Sequence, residues 1–261
     1  MEFYTSSGIP RPVRLSEATR RFAIESLNHK YGRETRRIPC VTMDHIPGYL
    51  KMSKLARYDL AVREIAEKAP LRICPGEKLS GAATLGDASL HRLPAGHKAI
   101  VREYSCGTSH LTVDFFEVLA IGMDGIRLKA EQSLASQNDP DRREFLRSCL
   151  ATIDSMGIWH RRYLEALSSM SGYEAVVKNL RQVPFRPARS FYEAVQSVWF
   201  CFAFLRLTGC WPGIGRIDQM LGGYLKADLA AGILTMDEAR EILAHFFIKG
   251  CEWITGQPLM T

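Results

Sequence analysis

The sequence predicts a mainly α-helical domain with a few short strands, and three observations predict it. Helix-start signals of the form Ser/Thr-x-x-Glu occur at Ser171/Glu174, Ser190/Glu193 and Thr235/Glu238, and Asp139-Pro140 joins an N-cap residue to a proline suited to the first helical position. The run after Ser190 (Phe191, Val195, Val198, Trp199, Phe202) is apolar on almost all sides, as in a helix central to a large core. Residues 71–109 differ: Pro75, Gly76, Gly81, Gly86, Pro94, Gly96 and Gly107 punctuate short apolar runs there.

Taken in order, Ser16 opens a helix with Ala18, Phe22, Ala23 and Leu27 as its apolar residues, and helical pattern resumes over 51–68. The punctuated stretch predicts loop with two short strands, near 78–83 and 99–104. A helix over 113–134 places Phe116, Leu119, Met123, Ile126 and Ala130 on one face. Gly122 and Gly125 weaken it by about 1 kcal/mol each relative to alanine, and glycines so placed permit close packing. The helix from Asp139 carries Phe145, Cys149, Ile153 and, past Gly157, Trp159 and Tyr163. The Thr235 helix buries Ala239, Ile242, Leu243, Phe246 and Phe247, with Gly250 as its expected C′ residue. No repeat or linker interrupts the pattern, so residues 1–261 read as one domain. The strongly apolar last helix without a polar closing segment reads as a chain cut inside a larger domain.

With 46% hydrophobic and 24% charged residues among 261, the composition is that of a globular protein and excludes disordered, collagen-like and coiled-coil classes. The net charge of +6 raises the question of nucleic acid. The basic clusters Arg20, Arg21, Arg33, Arg36, Arg37 and Arg142, Arg143, Arg147, Arg161, Arg162 lack interleaved stacking aromatics, so they read as solvated faces and nucleic acid is not an expected partner. No secretory leader is visible at the N-terminus, and the longest apolar stretch, 195–207, is shorter than the ~20 residues of a membrane span. Seven cysteines, an odd number without a C-x-x-C pair, argue for reduced thiols and a cytoplasmic protein. The seven histidines form no H-E-x-x-H or close His/Cys cluster, so no metal site is expected.

Two segments carry candidate chemistry. In Ser109-His110-Leu111-Thr112-Val113-Asp114-Phe115, His110 and Asp114 are four residues apart and share a face if the helix has begun, as a pair of acid/base or hydrogen-bonding groups; alternatively Asp114 favours the helix N-terminus and His110 is a loop residue. In Gly213-Ile214-Gly215-Arg216-Ile217-Asp218-Gln219, Arg216 and Asp218 point the same way in an extended segment. Beside a buried core they form either a fold-fixing ion pair or part of a polar cavity, and removing Arg216 is expected to strand a buried Asp218. Gly213-Ile214-Gly215 lacks the third glycine of a dinucleotide loop. Cys210, with only Arg206 and Arg216 as nearby cations in sequence, reads as structural.

The runs 187–196, 215–221 and 228–235, with Glu238-Ala239 and Ile248-Lys249, resemble the glycyl radical enzymes, the pyruvate formate-lyase-like family. Upstream, Pro75-Gly76-Glu77-Lys78-Leu79-Ser80-Gly81 is similar to that family's Pro-x-Glu-x-x-x-Gly turn, and His110 through Ile126 to its His, Asp-aromatic, Gly-x-x-Gly-Ile segment. The resemblance implies the N-terminal part of a ten-stranded α/β barrel wrapped by helices. It implies a backbone glycyl radical, installed by a separate radical-SAM activating enzyme, that oxidises a loop cysteine to a thiyl, which abstracts hydrogen from a small substrate. Lyase, dehydratase and formate acetyltransferase-like activities, and a homodimer for the complete protein, come with it. The family's cysteine and glycine loops fall past Thr261, so this stretch resembles the N-terminal third and alone is expected to be inactive. Phe115, Phe116 and Glu117 stand where formate-lyase types place a carboxylate-holding arginine, which argues against pyruvate; Gly213 replaces a common serine. On this reading His110, Asp114, Arg216 and Asp218 bind substrate, with no cofactor or metal held by the segment. The alternative is a helical interaction module without catalysis, and a further one is a basic nucleic-acid-binding protein.

Overall fold

The computed structural model describes residues 15–28, 30, 43, 45–69, 71–82, 111–207 and 212–251. Among these the chain forms eight α-helices: α1 (Glu17–Leu27), α2 (Lys54–Lys68), α3 (Phe115–Ser136), α4 (Pro140–Ser168), α5 (Glu174–Leu180), α6 (Phe191–Leu207), α7 (Ile217–Ala230) and α8 (Met236–Cys251). A 3₁₀ turn (Tyr49–Lys51) precedes α2, so the helix expected from residue 51 starts three residues later, where the Ser53 hydroxyl accepts from Ala56 N–H. The fold is mainly helical, and the only β pairing among the described residues is one parallel bridge between Thr112 and Gly213.

α6 is the centre. Fourteen of its residues are buried, as its all-round apolarity predicts, and it packs against α3, α5, α7 and α8. Its N-terminus is capped from a distance: the buried carboxylate of Asp228, on α7, accepts the Phe191 N–H at 2.8 Å. α4 packs against α2, α3 and α5, and its Trp159 meets Phe200 and Phe204 of α6 at ring-centroid distances of 4.7 and 5.7 Å. α1 packs on α8.

The strand expected near 78–83 is absent over its described part, 78–82, and the reason lies in its partners. Side chains, not a neighbouring strand, satisfy the backbone of this irregular segment. Tyr163 Oη accepts from Arg72 N–H at 3.1 Å, Tyr173 Oη donates to Cys74 O at 2.9 Å and Tyr192 Oη donates to Lys78 O at 2.5 Å. Gln196, fully buried on α6, accepts from Ser80 N–H at 2.9 Å and donates to Ser80 O at 3.0 Å, as a strand residue would. Trp199 Nε1–H donates to Gly81 O at 3.0 Å. Buried peptide groups need partners of some kind, and here helices supply them. The expected strand at 99–104 lies outside the described residues.

Three helix expectations need correction. α3 is not one straight rod: Gly122 has φ +66° and ψ 172°, and the N–H groups of Met123 and Asp124 donate to Pro184 O and Phe185 O at 2.9 and 3.0 Å. The break shifts the buried face to Phe115, Val118, Leu119 and Gly122, leaving Phe116 exposed. Ser171 does not cap α5, whose N-cap is Tyr173, and Glu174 instead accepts from Gly172 N–H. Gly250 lies within α8 rather than after it. The Ser190 box is half formed: Ser190 Oγ accepts from Glu193 N–H, but the Glu193 carboxylate returns to Arg189 N–H and its guanidinium. The Thr235/Glu238 box closes in both directions, and Asp139 caps α4 with Pro140 in its first turn. Phe145 and Phe247 are exposed, and α1 buries Thr19, Phe22 and Ser26 rather than its alanines, because the surface it meets on α8 is largely polar.

Candidate functional site

The two segments with candidate chemistry meet at one edge. Gly213 N–H donates to Leu111 O at 2.9 Å, within the parallel Thr112–Gly213 bridge. Each segment then turns into a helix, α3 after Asp114 and α7 after Arg216, so two helix N-termini leave the same edge. Gly215 permits the approach. Its φ is +77°, and a Cβ there would stand 2.8 Å from Thr112 Cγ2.

Asp114 is exposed and caps α3, its Oδ1 accepting from Glu117 N–H at 3.1 Å, so the capping alternative describes its structural role. Arg216 sits at the N-cap position of α7 and grips Asp218 with both arms of its fork, Nε at 2.8 Å and Nη2 at 2.6 Å. The hydrogen bonds from Arg216 hold the Asp218 carboxyl down at about 2, so this pair is charged across the usual pH range. In this chain the pair is not buried: both side chains are about two-thirds exposed, at 66% and 61%. The cause is the chain path. It passes from buried Pro212 to exposed Gly215, and the first turn of α7 projects beyond the core around α6. Removing Arg216 therefore strands no buried carboxylate, and the fold is expected to tolerate Arg216→Ala. His110 and Cys210 lie outside the described residues.

This edge offers a fixed guanidinium–carboxylate pair, a second carboxylate and two helix N-termini. Such an arrangement can bind and orient a small polar molecule through hydrogen bonds. Of the described thiols, Cys74 and Cys201 are buried, with burial pushing the Cys201 thiol up to about 12, Cys149 is half-buried with its thiol also raised by burial, and Cys251 is exposed at the end of α8. Among the described residues no group of three or more His, Cys, Asp or Glu is placed to hold a metal ion, and no helix is long and apolar enough to cross a membrane.

A second charged feature escaped the sequence reading as a pair. Glu77, in the 75–81 turn, and Lys249, on α8, form an ion pair at 2.5 Å with both side chains fully buried, and the ammonium lies 5.9 Å from the Trp199 ring centroid. The signal was present: Lys249 falls on the same helical stripe as Ile242 and Phe246. A lysine on a buried stripe requires a buried partner.

A family model described as Pyruvate formate lyase-like matches residues 91–257. Among curated proteins, the isethionate sulfite-lyase of Desulfovibrio desulfuricans is 30% identical over 194 residues, covering 64% of this chain and 23% of that protein. The isethionate sulfite-lyase of Bilophila wadsworthia is 32% identical over 161 residues, covering 54% and 19%. The chain thus spans no more than about a quarter of the length of these relatives. Among solved structures, the 1,2-propanediol dehydration enzyme of Roseburia inulinivorans is similar at TM-score 0.67 and 19% identity, covering 92% of this chain and 40% of that one. The B12-independent glycerol dehydratase of Clostridium butyricum is similar at TM-score 0.65 and 20% identity, with the same coverage. These likenesses show the fold.

Proposed function

Because the chain belongs to the pyruvate formate lyase-like family, we propose that it is the N-terminal segment of a glycyl radical lyase or dehydratase and supplies one wall of the cavity for a small polar substrate. The observation that carries this reading is the parallel pairing of Thr112 with Gly213, which brings Asp114 and the Arg216–Asp218 pair to one edge. In this role Arg216, Asp218, Asp114 and, from the adjoining segment, His110 hold the substrate's polar groups. The rest of such an enzyme supplies the thiyl and glycyl loops, a separate activating enzyme installs the radical, and the complete assembly is a cytoplasmic homodimer. The 30% identity to isethionate sulfite-lyases and the Phe115-Phe116-Glu117 sequence favour elimination from a short hydroxylated substrate over cleavage of pyruvate.

On this reading the thiyl and glycyl loops belong to the rest of such an enzyme, and this segment binds but does not relay a radical. The purified 261-residue chain, treated anaerobically with an activating enzyme and S-adenosylmethionine, is therefore expected to give no glycyl doublet by electron paramagnetic resonance and no product. A protein-based glycyl doublet from this chain would overturn the assignment.

A further inference from the structure

We draw no further inference here: the strongest candidate, the surface stripe of Met236, Leu243 and Phe247 along α8, is an apolar helix face, and nothing in the structure shows what covers it.

Discussion

Lys249→Met is expected to destabilise the chain by about 3–5 kcal/mol, because it removes the buried ammonium that pairs with the buried Glu77 carboxylate. For a domain of this size that is a fall in Tm of roughly 6–20 °C, at about 2–4 °C per kcal/mol. Methionine fills most of the lysine's volume, so the loss reports charge rather than packing. The double variant Glu77→Gln/Lys249→Met removes both charges and should recover much of the loss, since a buried pair replaced as a unit costs far less than one partner stranded. Thermal unfolding of both single variants and the double variant, followed by circular dichroism, measures the coupling. Additive losses in the double variant would show that the two side chains do not depend on one another.

Gly122→Ala is expected to be comparably damaging for a different reason. The residue stands at φ +66° and ψ 172°, a region essentially reserved to glycine, where an L side chain costs about 1–3 kcal/mol. A Cβ there would also lie 2.3 Å from the carbonyl oxygen of Phe185, so the backbone of the 184–186 loop must move. Overpacking of that kind adds typically about 1–3 kcal/mol. The move also disturbs the bonds from Met123 and Asp124 N–H to that loop, which satisfy the donors exposed by the break in α3. A midpoint shift of less than about 1 kcal/mol in urea unfolding would contradict the role assigned to this glycine. Gly172 is the control: its φ is +86° but nothing stands within 4 Å of a Cβ there, so Gly172→Ala should lose only the conformational part.

These two positions show what the sequence discloses. Gly122 was legible as a weak point in a helix and as a residue permitting close packing. Its switch to positive φ was not, because the loop that forces it, 184–186, lies some sixty residues downstream and local periodicity carries no trace of it. The all-apolar α6 was fully legible, since burial on every side needs no knowledge of the partners. The capping boxes were legible in proportion to how local their competitors were. Thr235/Glu238 closes, whereas Arg189 takes the Glu193 carboxylate and Gly172 draws Glu174 away from Ser171. The missing strand at 78–82 could not be read, because three side chains of α6, Tyr192, Gln196 and Trp199, do the work of a neighbouring strand.

For the candidate site, the sequence singled out the two segments, and the fold pairs them at Thr112 and Gly213. It misjudged the burial of Arg216 and Asp218, because helix-adjacent position says nothing about how far the first turn of α7 projects from the core. Both are about two-thirds exposed, so substitution there should cost this chain little stability.

The most direct test of the cavity-wall assignment uses an intact relative, the isethionate sulfite-lyase of Desulfovibrio desulfuricans, substituted to alanine at the positions aligned with Asp114 and Arg216. Activated enzyme should keep its glycyl doublet, the Asp114-equivalent variant should lose only the ~1 kcal/mol of a missing N-cap, and turnover should fall at least ~10-fold, equivalent to ~1.4 kcal/mol of transition-state stabilisation. Unchanged turnover in both variants, with the radical intact, would contradict the assignment of this edge to the substrate.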